Sequence, residues 1–307
     1  EATVKVELRG RAGEGAPPEV EEDMHAEEWR AFLTPQPEHD DRDRFITQHV
    51  PLLRPEDDQD ALQVLAPYVD RVVLATKLRE VRALVGFSRY DADGRVVRPD
   101  LGHELDWLPA VEVFGEGIFM SLDERRLAQW EAQDRIRERA QELEKRRQAS
   151  FLASRFPPVT GRFVLLHTLA HLLIRQLAFE CGYASASLRE RVYSRTAEEG
   201  EPQSGILIYT AAGDTEGTLG GLARQGEPPR LARTLLNALQ SAVWCSSDPL
   251  CRESKGQGFG SLNLAACHGS SPVAASGSAA ALAAAAAAAP SAAAPSSSPS
   301  AAGAPIA

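Results

Sequence analysis

An α+β fold is predicted by three features of this 307-residue chain. Segments of period-two alternation or short apolar runs occur in both halves, at residues 3–8 (TVKVEL), 72–75 (VVLA), 107–120 and 205–210 (GILIYT). Helix-period stretches separate them at 123–148, 163–181 and 229–244. From Gly269 onward the chain has no charge and is dominated by Ala, Ser and Pro. Strands grouped in the first half and a strand among helices in the second predict a mixed N-terminal region, then a C-terminal α/β lobe around one buried helix. The last segment buries too little to offset its ordering entropy and is expected to be a disordered tail. The expected divisions are 1–150, 151–268 and 269–307.

Each element follows from its pattern. Residues 1–60 open on the alternating TVKVEL, then pass through Gly, Pro and many acidic residues, as a satellite of a larger domain would. Leu62, Leu65 and Val69 keep helical spacing before the strand-like VVLA, and KLREVRALVGF at 77–87 reads as a helical turn running into Gly86. Residues 107–120 read as a strand pair interrupted at Gly115 and Gly117, where the backbone bends or a neighbour approaches closely. Residues 123–148 form a polar helix anchored by Leu127, Trp130, Ile136 and Leu143, a solvated connector with i to i+4 ion pairs. Residues 163–181 are apolar almost all round, the signature of a buried helix. Ser185 or Ser187 is placed to cap a short helix through Leu188 and Val192. After the strand at 205–210 come the loop GDTEGTLGGL and an amphipathic helix over 229–244.

Composition narrows the function. A net charge of −10 argues against a protein that coats nucleic acid by itself. Four cysteines, one on an apolar helix, do not resemble a secreted disulfide framework. The absence of an 18-residue charge-free apolar run and of a signal-type N-terminus predicts no membrane insertion and a cytoplasmic location. The chain starts at Glu1 and reads as a fragment of something longer. It carries no ATP-binding motif.

Three constellations offer chemistry. His167 and His171 in HTLAH stand one helical turn apart, so both rings can meet one metal ion. The residue after His167 is Thr168, so the general-base carboxylate of the HExxH hydrolases is missing. The structural alternative has both histidines hydrogen-bonded inside the buried face, against the strand at 206–209. Asp214 and Glu216 in the glycine-rich loop repel phosphate unless a cation intervenes, and the loop lacks a P-loop lysine. Gly220 and Gly221 instead allow close helix packing, while an ion site on Asp214, Glu216, His167 and His171 is the sharper alternative. Cys245, Cys251 and Cys267, with His268, offer a Cys3His zinc set in which ligands 267 and 268 are awkwardly adjacent. Cys181 reads as a small buried hydrophobe.

The order of these pieces, HTLAH, GYASASLRERVYS, GILIYT, GDTEGTLGGL, WCSSDPLC and SLNLAACH, resembles the C-terminal domain of DrmB-like components of the DISARM anti-phage system. It resembles more loosely a zinc-binding domain behind helicases of the MrfA kind. KLREVRALVGFSR and WLPAVEVFGEGIFM extend the resemblance over roughly residues 65–268. The resemblance implies a non-enzymatic accessory subunit, with a helicase subunit as partner, DNA reached through the complex, and zinc as the metal. The family continues with further cysteines beyond the AACH motif. Here Gly269, Ser270 and an Ala-rich run stand in their place, as if the end had been replaced. A metal-dependent hydrolase or nuclease using His167, His171, Asp214 and Glu216 is the alternative.

Overall fold

A computed structural model describes residues 20–36, 44–57, 60–87, 97–99, 107–150, 153, 158–183, 187–211 and 221–243. The 3–8 segment, the residue 213–220 loop, Cys245, Cys251, Cys267, His268 and the tail lie outside the described residues.

Five antiparallel strands form one sheet in the order β1-β2-β3-β5-β4: β1 Ile46–Val50, β2 Val69–Ala83, β3 Ala110–Leu122, β4 Arg189–Tyr193 and β5 Gly205–Ala211. Strands on either side of residue 150 therefore share a sheet, joined where Phe119 of β3 faces Leu207 of β5. With helices gathered on an antiparallel sheet, the fold is α+β.

Alternation assigns the two faces of that sheet. Val72 and Leu74 of β2, Ile118, Met120 and Leu122 of β3, and Ile206 and Ile208 of β5 point into the larger core. That core is completed by α5 (Gly161–Cys181), α6 (Gly221–Gln225) and α7 (Arg230–Val243). Val73, Ala75, Phe119, Leu207 and Tyr193 point the other way, where α1 (Val20–Leu33) covers them with Trp29 and Phe32. Phe32 stacks on Phe119 at 4.6 Å with an interplanar angle of 2°, and Tyr193 meets Trp29 and Phe119 at 5.8 Å. Short α2 (Asp60–Gln63) places Leu62 in the larger core.

Several local expectations are corrected. The 77–83 segment is strand, not helix. Its register against β3 runs through Ala83↔Ala110, and its charges find partners along the sheet, Arg79 with Glu112 at 3.8 Å and Glu80 with Arg189 at 3.1 Å. Pairing thus overrides a helix-prone composition. Residues 110–122 make one strand rather than a pair. Gly117 does mark a close approach, since a Cβ there would meet the Ile208 carbonyl oxygen of β5 at 2.9 Å. The connector is two helices, α3 (Glu124–Glu131) and α4 (Asp134–Ala149), broken at Ala132 and Gln133. Asp123 caps α3 by accepting from the Arg126 N–H, and Leu127, Ile136 and Leu143 are the buried anchors. The helix expected through Leu188 and Val192 is instead strand β4, because Arg189 to Tyr193 add to the free edge of β5.

Candidate metal centre on α5 and β4

The buried helix α5 is fixed at both ends. Thr160 caps it by accepting from the Phe163 N–H at 3.1 Å, and Gly182, at φ 73°, closes it in the left-handed conformation that suits glycine. Leu165, Leu166, Leu169, Leu172, Leu173 and Leu177 lock it into the core. Phe163, His167, His171, Arg175 and Phe179 recur every fourth residue and form a stripe that the core leaves partly open. By length and composition α5 could cross a membrane, yet half of that stretch is buried inside the protein.

Opposite this stripe lies β4, whose alternation separates its charges. Arg191 and Tyr193 turn to α1, where Arg191 clasps Glu28 with two bonds of 2.8 Å and the Tyr193 hydroxyl donates to Glu28 at 3.0 Å. Arg189 is held by Glu80. Glu190 and Val192 point the other way, toward α5.

Glu190 Oε1 lies 2.7 Å from His167 Nδ1 and 3.4 Å from His171 Nε2. The two imidazoles sit edge to face with centroids 4.5 Å apart, and Phe163 stacks on His167 at 5.5 Å. Burial pushes the His171 imidazole below its ordinary pKa; Glu190 opposes this, and His167 reinforces it. Glu190 Oε2 is buried with no hydrogen-bond partner. One donor atom from each of His167, His171 and Glu190 lies within 4.8 Å of the others, a set that can hold a metal ion.

The expectation that both histidines are buried against the strand at 206–209 is corrected. Their side chains are 38% and 48% exposed, and their carboxylate partner comes from the edge strand. Sequence reasoning missed Glu190. Its one local signal is the alternation in RERVY, which puts a lone acid on the face opposite both arginines. Thr168, in the position of the HExxH glutamate, is 1% exposed and faces the core, so that position could not present a base to a substrate even as a carboxylate. Asp214, Glu216 and the set Cys245, Cys251, Cys267 and His268 lie outside the described residues. Cys181 packs partly buried against the larger core, and burial raises its thiol pKa, as a small core hydrophobe requires.

The family model of the MrfA Zn-binding domain matches residues 169–269, a stretch holding His171, Glu190 and the cysteine set. The class defined here is thus an α+β chain with an MrfA-type zinc-binding domain, whose described residues include strands β4 and β5 of the sheet. The chain is DrmB-like: it is 35% identical over 224 residues to the DISARM protein DrmB of Bacillus paralicheniformis, which covers 68% of this chain. The match spans 38% of that relative, well under half its length.

Proposed function

We propose that this chain is a non-enzymatic accessory component of a bacterial phage-defence complex of the DISARM type. It works in the cytoplasm beside a helicase subunit and reaches DNA through the complex. The observation that carries this reading is the 35% identity to DrmB over 224 residues. A net charge of −10 supports the indirect route to DNA, because such a chain gains little from neutralising phosphates on its own. Zinc is held by Cys245, Cys251, Cys267 and His268. Three thiols and an imidazole are a zinc donor set, and the ion would supply structural cross-linking rather than a reacting centre.

Co-expression with a helicase subunit of a DISARM system tests the reading. The two chains co-purify, and DNA is retained by the pair but not by this chain alone. Failure to associate, or DNA cleavage by this chain alone, overturns it. Zinc should be substoichiometric in the purified chain, because adjacent ligands at Cys267 and His268 close the tetrahedron poorly. Ser270→Cys, which gives a CxxC pair with Cys267, raises occupancy.

A further inference from the structure

We propose that His167, His171 and Glu190 form a binding site for a divalent first-row transition ion, a two-imidazole, one-carboxylate site separate from the cysteine set. The proposal stands on the fold alone and holds whether or not the chain serves a defence complex.

Four observations carry it. First, the donors converge. A tetrahedral ion about 2.0–2.2 Å from each ligand sets its donors roughly 3.3–3.6 Å apart. The 3.4 Å from Glu190 Oε1 to His171 Nε2 matches that spacing, and all three donors lie within 4.8 Å of one another. The 2.7 Å from Glu190 Oε1 to His167 Nδ1 is a hydrogen-bond distance, which opens by about 0.6 Å when an ion takes the place of the proton. Second, the carboxylate is incompletely satisfied, since the buried Glu190 Oε2 accepts from no donor. A buried carboxylate oxygen without a partner is costly, and a cation bound at Glu190 offsets that cost. Third, neighbouring cations are directed elsewhere. Arg189 is held by Glu80 and Arg191 by Glu28, both on the far face of the sheet, which leaves Glu190 to the histidines. Fourth, the ligands stand on rigid supports. The imidazoles project from a helix locked in the core, His167 is stacked on Phe163, and Glu190 sits in a paired strand.

Two nitrogens and one oxygen favour borderline ions, zinc, cobalt or nickel, over calcium or magnesium. The partly exposed imidazoles leave the ion an open side, where water completes its shell.

Cobalt(II) separates this site from the cysteine set, because thiolate ligation produces a near-ultraviolet charge-transfer band that nitrogen and oxygen ligands do not. The full chain, stripped of metal, is titrated with cobalt(II). Wild type takes up cobalt with visible bands that include a component lacking thiolate character. Glu190→Gln and His171→Asn weaken that component by roughly tenfold or more and leave any thiolate band unchanged. Circular dichroism and melting temperature confirm that the variants are folded. In unaltered protein, zinc also slows diethylpyrocarbonate modification of His167 and His171, a readout that needs no substitution. The proposal is overturned if all bound cobalt shows thiolate character, if folded Glu190→Gln and His171→Asn bind cobalt as wild type does, or if zinc leaves the modification of both histidines unchanged.

Discussion

Arg162 and Glu131 meet as a two-pronged ion pair inside the protein, with Nη2 2.9 Å and Nε 3.3 Å from the two carboxylate oxygens. The arginine is 2% exposed and also reaches Glu124 and the carbonyls of Arg195 and Gln203. One side chain from the first turn of α5 thus ties together α3 and the segments before and after the 196–200 turn. Replacing it by methionine leaves two carboxylates and two carbonyls without their donor. Removing one partner of a buried pair costs about 3–5 kcal/mol. Arg162→Met should show that loss in urea unfolding, and Glu124→Gln a smaller one, because Glu124 is more open to water than Glu131. Equal and small effects would show that the network contributes little.

What could be read from the sequence followed how local each signal is. Helix α5 was legible because its apolar run is long and bounded by Thr160 and Gly182. Strand β5 and helix α7 were legible for the same reason, a strong pattern between turn residues. The second half of β2 was not, since Lys77, Arg79, Glu80 and Arg82 look helical until β3 lies alongside them. Strand β4 was missed because five residues with three charges define a strand only through pairing with β5. That miss hid Glu190. The histidines could be paired from their spacing, but their carboxylate arrives through sheet register, which no local pattern encodes.

Leu169 lies on the inward face of α5 at 2% exposure, within the larger core. Leu169→Asp places an unpaired carboxylate there, at a cost above about 4 kcal/mol. The variant should be unfolded or insoluble by circular dichroism and gel filtration. Phe179, on the same helix but 84% exposed, provides the contrast. Phe179→Ser should shift unfolding by no more than about 0.5 kcal/mol. A normally melting Leu169→Asp protein would show that α5 is not the centre of the core.

Gly117 sits where β3 passes closest to β5. A Cβ at this position would lie 2.9 Å from the Ile208 carbonyl oxygen and 3.0 Å from both Leu207 Cδ1 and Tyr209 Cβ. Two of those neighbours, a backbone oxygen and a Cβ, cannot rotate away, so the strands must part. Gly117→Ala should cost about 1–3 kcal/mol and speed hydrogen exchange in β5. Unchanged exchange at Ile208 would mean that the sheet absorbs the methyl without separating.

Glu144 supplies a pH dependence with a definite sign. Two bonds from Arg147, at 2.7 and 2.8 Å, are the largest influence on its carboxylate. Burial opposes them, while the Val159 N–H at 2.8 Å and the Gln148 amide at 2.8 Å add to them, and the net effect lowers the pKa from 4.5 to about 2. A carboxylate whose pKa is lower folded than unfolded stabilises the protein fully above the unfolded value, and that contribution is lost as pH falls toward the folded one. The window therefore runs from pH 4.5 down to about pH 2. Glu144→Gln lacks this titration. Its melting temperature should lie below wild type at neutral pH, and the two curves should draw together across that window. Parallel curves would show that the Val159 and Arg147 contacts do not depend on the charge of Glu144.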